Sequence, residues 1–120
     1  MTHSPGHQKW PDHRVVEKPL QQRVQVQING EMIADSQAAI EVDEDEYPAR
    51  FYIPRSDVRM DRLQKSDTST TCPFKGKASY YHFGDTRDAA WSYEDPYEEH
   101  SALKDRIAFY EENPGIQVVH

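Results

Sequence analysis

The sequence predicts a mainly β domain whose strands pair in antiparallel sheets. Short segments in which apolar and polar residues alternate recur along the chain, and this period of two is typical of half-buried strands. Asn29 and Gly30 separate two such segments, and this pair favours a hairpin turn because both residues tolerate positive φ. Only two segments carry helix signals. We therefore expect two short helices and an antiparallel arrangement rather than regularly alternating strands and helices.

The chain has 120 residues, which is enough for one domain with one modest hydrophobic core. Residues 1–19 are polar and contain three prolines, which predicts an extended N-terminal arm with Trp10 as its anchor. Residues 20–120 then form the single β domain. Hydrophobic residues make up 36% of the chain and charged residues 29%, a composition that favours a folded chain over a disordered one.

Four strands are predicted in the first half of the domain. Residues 23–28 place valine and isoleucine on one face, and residues 31–35 return after the turn. Residues 39–43 alternate again. Residues 50–53 form a short aromatic strand that Pro54 ends, because proline cannot donate to a strand ladder.

A short helix and an irregular loop are predicted next. Ser56 is a good N-cap for a helix over residues 57–64. Residues 66–80 contain a run of hydroxyl side chains followed by Cys72, and they follow neither a helical nor a strand period. We interpret this segment as a loop with a special backbone shape, and such loops often carry function.

The last part of the chain predicts a second hairpin, a second helix and a final strand. Residues 79–83 and 89–93 are interpreted as paired strands with a turn at Gly84. A strong helix start lies at Asp95, because Pro96 follows it directly and Glu98 lies three positions after it. Residues 107–110 are apolar and predict the final strand.

The distribution of charge restricts the class of ligand. The net charge of −7 argues against a nucleic-acid partner. Residues 50–77 nevertheless hold seven cations and only three anions, so this basic middle segment is where an anionic ligand would bind. The acidic run at residues 43–46 lacks the spacing of a calcium loop, and we interpret it as solvated.

The sequence predicts neither a metal nor a cofactor. Its one cysteine excludes an internal disulfide and a Cys-x-x-Cys zinc site, and its six histidines show no paired spacing. No apolar run is long enough to cross a membrane, and residues 1–13 have no apolar stretch typical of a signal peptide. We therefore expect a cytoplasmic protein without a membrane partner. The sequence specifies no oligomeric state.

Six blocks of sequence occur in a characteristic order. They are residues 34–36 (Ala-Asp-Ser), 52–58 (Tyr-Ile-Pro-Arg-Ser-Asp-Val), 71–80 (Thr-Cys-Pro-Phe-Lys-Gly-Lys-Ala-Ser-Tyr), 89–93 (Ala-Ala-Trp-Ser-Tyr), 95–96 (Asp-Pro) and 107–110 (Ile-Ala-Phe-Tyr). In this order the blocks closely resemble the bacterial domain-of-unknown-function family 427. The resemblance covers roughly residues 20–115, nearly the whole predicted domain.

The resemblance implies a compact antiparallel β domain of the Mss4-like, or β-tent, type. Many wider relatives of this type bind zinc through four cysteines, and a single cysteine means that zinc does not carry over to this chain. The family has also carried a nucleotidyltransferase label. One wider relative holds its ligand among aromatic side chains, which favours a similar pocket here.

Five residues are the candidate ligand-binding site. Arg55 and Lys75 would supply positive charge to a common cavity, and Tyr80, Trp91 and Tyr93 on predicted strands would line it. Each has a structural alternative: the arginine in an ion pair with a nearby aspartate, the lysine solvated in a turn, and the aromatic residues in the core.

Three classes of function remain open from the sequence. The leading interpretation is a domain that binds a small polar or anionic ring-bearing ligand in an aromatic and basic pocket. The second is an enzyme acting on a nucleotide or another phosphorylated small molecule. The third is a protein-interaction module that uses its acidic surface. No residue is assigned a catalytic role, and Cys72 is interpreted as structural because it lacks an evident neighbouring base.

Overall fold

The computed structural model describes residues 3–120, which fold into ten strands arranged as three antiparallel sheets. In chain order the strands are β1 (Val15–Pro19), β2 (Val24–Ile28), β3 (Glu31–Ser36), β4 (Ile40–Glu44), β5 (Arg50–Tyr52), β6 (Gln64–Cys72), β7 (Gly76–Phe83), β8 (Thr86–Pro96), β9 (Ile107–Phe109) and β10 (Ile116–Val119). The first sheet has the order β1-β4-β5, the second β10-β2-β3 and the third β6-β7-β8-β9. The predicted class, a mainly β domain with antiparallel strands, is confirmed. The β-tent assignment rests on the resemblance and stays a prediction.

The third sheet contributes to a hydrophobic cluster on each of its faces. Ala90 and Phe109 belong to the cluster that contains the apolar residues of the second sheet. Trp91 and Ala108 belong to the cluster that contains those of the first sheet. Because successive side chains of a strand alternate between faces, β8 and β9 need apolar residues at consecutive positions. The second sheet therefore covers one face of the third sheet, and the first sheet covers the other face.

A backbone bridge joins the first and third sheets. Ile53, directly after β5, and Ile107 in β9 exchange two backbone hydrogen bonds of 2.9 and 2.8 Å. The bridge holds the end of β5 beside β9, and it thereby brings the aromatic residues of β5 close to those of β8.

The first predicted hairpin is confirmed. β2 pairs with β3 in antiparallel register, and the apolar residues of β2 are fully buried while the two glutamines between them are not. The turn residues Asn29 and Gly30 have φ angles of 51° and 85°. Positive φ at both positions is what a two-residue turn matching the strand twist requires.

The predicted loop at residues 66–80 is wrong except at residues 73–75, because residues 76–80 already belong to β7. Residues 64–72 form β6, which pairs with β7 and is the edge strand of the third sheet. The side chains of β6 are mostly exposed, so the strand shows no apolar alternation that a sequence pattern could reveal. Its register shifts between Lys65 and Ser69, and such an irregularity is common at sheet edges.

The two predicted helices are replaced by shorter 3₁₀ turns. In place of a helix over residues 57–64 the chain forms turns at Arg55–Asp57 and Met60–Arg62, because Val58 between them pairs with a residue of β3. In place of a helix beginning at Asp95, β8 continues to Pro96 and pairs with Gly76, and the 3₁₀ helix Glu98–Leu103 follows. In both places, strand pairing with a distant segment prevails over a local helix signal.

The segment expected to be an extended arm contains regular structure in its described part. Residues 5–9 form a short helix, α1 (Pro5–Lys9), and β1 pairs with β4. Ser4 and Gly6 are buried, and the Ser4 hydroxyl and the Gly6 N–H donate to the Pro73 carbonyl at 2.6 and 2.7 Å. Trp10, the predicted anchor, remains 49% exposed. Docking of the segment therefore depends on small residues rather than on the tryptophan.

Replacing Gly6 with alanine should destabilise the docked segment by about 1–2 kcal/mol, as overpacking typically does. A β-carbon at this position would lie 2.6 Å from the Pro73 carbonyl oxygen, and a backbone group cannot move aside cheaply. Denaturant unfolding measures the effect. Gln8→Ala, at an exposed position of the same helix, is the control and should change stability little. A Gly6→Ala variant as stable as the parent would contradict the close approach, since alanine otherwise favours a helix.

Candidate functional site

A cavity of about 440 Å³ opens between the first and third sheets. Its walls come from β4 to β8, from the loop between β4 and β5, from the turn that joins β6 to β7, and from Tyr110 after β9. The side chains that concern its chemistry are Glu44, Arg50, Tyr52, Cys72, Lys75, Tyr80, Trp91, Tyr93 and Tyr110. Strand pairing brings these residues together from four separate parts of the sequence.

Aromatic rings form the inner wall of the cavity. Trp91 and Tyr93 lie on the same face of β8, and the Trp91 indole N–H donates to the Tyr52 hydroxyl at 3.1 Å. The ring centroids of Tyr52 and Tyr93 are 6.2 Å apart. Tyr110 lies close to Trp91, with a centroid separation of 4.3 Å. Contact among these rings restricts their orientation.

A second aromatic pair stands beside this wall. The rings of Tyr80 and Tyr110 are stacked at an angle of 6° with centroids 6.4 Å apart. The Tyr80 hydroxyl shares a hydrogen bond of 2.7 Å with the Thr70 hydroxyl on β6. The exposed hydroxyl run of β6 thus positions one aromatic residue of the cavity.

A nearly buried ion pair occupies one end of the cavity. The Lys75 ammonium donates to the Glu44 carboxylate, and the two side chains are only 9% and 10% exposed. The other carboxylate oxygen of Glu44 lies 2.9 Å from the His13 imidazole. The Lys75 nitrogen also lies 5.9 Å from the centroid of the Tyr93 ring. The acidic run that we interpreted as solvated therefore contributes a carboxylate to the cavity wall.

Arg50 supplies a second cation. Its guanidinium forms two hydrogen bonds of 2.8 Å with the Glu112 carboxylate. It lies 5.2 Å from the centroid of the Trp91 ring and 5.7 Å from that of Tyr110, within the range of a cation–π contact. Each cation that lines the cavity thus already has a carboxylate partner.

The expectation that Arg55 and Lys75 face a common cavity is wrong. The Arg55 guanidinium donates to the Ser92 hydroxyl and to the Glu94 carboxylate, each at 3.1 Å, and also to a backbone carbonyl. Ser92 alternates with Trp91 along β8, so its side chain lies on the opposite face of the strand. Arg55 is held on that opposite face and does not line the cavity.

Four of the five predicted site residues line the cavity: Lys75, Tyr80, Trp91 and Tyr93. Sequence reasoning missed Arg50 and Glu44 as cavity residues. The period of two offered a signal for both, since Arg50 shares a face with Tyr52 on β5 and Glu44 shares one with a buried valine on β4. That signal could only be used once the packing of these strands against the third sheet was known.

Glu94 anchors the charged groups on the face of β8 that points away from the cavity. Its carboxylate accepts from Lys65 at 2.9 Å and from the Tyr81 hydroxyl at 3.1 Å, besides Arg55. Burial alone would raise the pKa of Glu94, but the hydrogen bonds from Lys65, Ser79 and Tyr81 lower it to about 2. The carboxylate therefore stays charged well into the acidic range.

The stability of the fold should decrease as the pH falls from about 4.5 to about 2 because of Glu94. The pKa of Glu94 in the folded protein lies below the reference value of 4.5, so the ionised carboxylate stabilises the fold fully above about pH 4.5. This stabilisation is lost as the carboxyl of the folded protein takes up a proton at lower pH. Glu94→Gln should therefore lower stability at neutral pH and reduce the pH dependence in this window. Unfolding in denaturant between pH 2 and 7 measures both. Glu46→Gln, at an exposed turn position, is the control. Equal slopes in the parent and Glu94→Gln would refute the assignment.

Among residues 3–120, no group of three histidine, cysteine, aspartate or glutamate side chains lies close enough together to hold a metal ion. In the same part of the chain, no helix is both long and apolar enough to cross a membrane. Cys72 lines the cavity and is half-buried.

The fold and its cavity define a small antiparallel β domain with an aromatic cavity between two of its sheets. The chain belongs to the domain-of-unknown-function family DUF427, whose profile matches residues 17–120. The match begins within β1 and covers all three sheets, whereas α1 precedes it. No curated protein matches the sequence.

Proposed function

We propose that this domain binds a small planar polar ligand in the cavity between the first and third sheets. The observation that carries the proposal is the convergence of aromatic side chains and a nearly buried ion pair on a space of about 440 Å³ that the chain itself does not fill. Cavities of this size, mostly apolar and with a few fixed polar groups, are the usual form of a small-molecule site.

The aromatic wall supports a planar ligand. Trp91 and Tyr93 present large apolar surfaces that are held in place by the Tyr52 ring and hydroxyl. A flat ring that contacts such surfaces gains buried area and favourable ring geometry at little cost in side-chain entropy. The polar groups at the ends of the wall would then fix the orientation of the ligand.

Binding is better supported than phosphate chemistry. An enzyme acting on a phosphorylated compound would need cations free to stabilise developing negative charge. Arg55 lies on the opposite face of β8, and the Lys75 ammonium already donates to Glu44. The concave shape of the site also favours a small molecule over a flat protein partner.

A ligand screen tests the proposal. Nucleosides, sugar phosphates and ring-containing metabolites are tested by thermal shift and ligand-observed NMR against the parent protein, Trp91→Phe and Trp10→Phe. We expect at least one ring compound to stabilise the parent and to bind Trp91→Phe more weakly, because the smaller ring leaves part of the wall uncovered. Trp10 is half-exposed and does not line this cavity, so its variant should bind like the parent.

Two results would overturn the proposal. The first is a panel in which no compound stabilises the parent protein. The second is a bound compound whose affinity is equal in the parent and in Trp91→Phe, which would locate its site elsewhere. Circular dichroism of both variants checks that folding is retained before affinities are compared.

A further inference from the structure

The buried end of the cavity, formed by Tyr52, Tyr93 and Lys75, carries hydrogen-bond donors that no acceptor of the described chain uses. The Tyr52 oxygen accepts from the Trp91 indole, so its own proton remains to be donated. The Tyr93 hydroxyl has no partner among residues 3–120. An ammonium has three protons, and in that same part of the chain Lys75 donates its side-chain protons to Glu44 alone.

These donors face open space rather than a sealed interior. The three residues are buried, and all of them line the cavity. Among residues 3–120, Asp88 Oδ1 is the one side-chain polar atom that is both fully enclosed and without a hydrogen-bond partner. The Tyr93 oxygen also lacks a partner there, so it is not fully enclosed, and the open space beside Tyr93 is the cavity. Burial raises the pKa of both tyrosine hydroxyls, which keeps them protonated and able to donate. A ligand that supplies an acceptor would satisfy donors that are otherwise unmet.

The charge around this end is already balanced. Glu44 neutralises Lys75 and also contacts His13. Arg50, at another part of the cavity, is bound at two points by Glu112. A ligand carboxylate or phosphate at the buried end would lie close to the nearly buried Glu44 carboxylate, and like charges in such surroundings repel strongly. The acceptor best suited to this end therefore carries no net charge.

We propose that the cavity selects neutral planar ring compounds that present a carbonyl oxygen to the buried end, where Tyr93 and Lys75 donate to it. The inference rests on the proposed function and narrows its ligand class from planar polar ligands to neutral ring compounds that carry a carbonyl group. The aromatic wall holds the ring, and the donors orient it through its oxygen.

Three bicyclic fragments of similar size separate the contributions of ring, carbonyl and charge. 2-Quinolone presents a neutral ring carbonyl, quinoline-2-carboxylate presents an anion, and quinoline lacks both groups. Each is titrated into the parent protein, Tyr93→Phe and Tyr81→Phe, with affinities taken from chemical-shift changes in NMR spectra. Tyr81 is the matched control because it is also a buried tyrosine, but its hydroxyl donates to Glu94 on the opposite face of the third sheet and it does not line the cavity.

We expect 2-quinolone to bind the parent more tightly than either other fragment. Tyr93→Phe should weaken its binding by about fivefold, the typical effect of one hydrogen bond, and Tyr81→Phe by less than about twofold. Tighter binding of quinoline-2-carboxylate, equal binding of quinoline, or an unchanged affinity in Tyr93→Phe would overturn the inference and leave the proposed ring-binding function standing. Absence of binding by all three fragments would count against both.

Discussion

Replacing Trp91 with alanine should lower the free energy of unfolding by about 3–5 kcal/mol, the largest effect that we expect from a single substitution. The side chain is 6% exposed, it donates to the Tyr52 hydroxyl, and it packs against Tyr110. Its loss removes apolar contacts and leaves Tyr52 without its donor. Chemical denaturation followed by far-ultraviolet circular dichroism measures the change.

The chain offers a matched control for this experiment in its other tryptophan. Trp10 is 49% exposed, so Trp10→Ala should change stability far less, as surface substitutions usually do. If the two alanine variants lost similar amounts of stability, the packing of Trp91 described above would be wrong. Trp91→Phe should keep most of the stability while reducing ligand affinity, and this variant separates folding from binding.

Breaking the ion pair between Glu44 and Lys75 should cost about 3 kcal/mol, the lower end of the range for buried pairs, because the cavity admits some water. Lys75→Met leaves His13 as the remaining hydrogen-bond partner of the Glu44 carboxylate among residues 3–120, and Glu44→Gln removes the carboxylate that pairs with the ammonium. The double variant removes both charges and should recover much of the loss. Denaturant unfolding of the four proteins gives the coupling energy between the two residues.

The neighbouring pair of Lys18 and Asp43 is the control for this cycle. Asp43 also belongs to β4, but Lys18 is 57% exposed, and exposed ion pairs contribute little to stability. Lys18→Met should therefore be close to neutral. Additive losses in the Glu44 and Lys75 cycle would show that the two side chains do not act as a pair, and would remove one support for a charge-balanced cavity.

The local sequence was sufficient for those strands whose side chains alternate. In β2 the apolar residues are buried and the glutamines between them are not, and the turn at Asn29 and Gly30 follows from the backbone preferences of these two residues. The aromatic residues of the candidate site were found for the same reason. Trp91 and Tyr93 alternate with Ser92, and this spacing already places both rings on one face of a strand.

The local sequence failed where pairing with distant segments decided the structure. β6 has polar, exposed side chains, and its backbone is extended because it pairs with β7. The capping signal at Asp95 is strong, but β8 continues through it because Pro96 pairs with Gly76. In both segments, hydrogen bonds to another strand satisfy the backbone, and side-chain patterns do not report that partner.

By itself the sequence determined the class of fold, the first hairpin, the family and the aromatic face of β8. Only the tertiary structure decided which charged groups meet that face. Arg55 and Arg50 are the same residue type, but Arg55 is held beside Ser92 on the opposite face of the third sheet, whereas Arg50 lies over Trp91. The alternation of a strand separates its two faces, but which distant strand covers each face depends on the pairing of the whole chain.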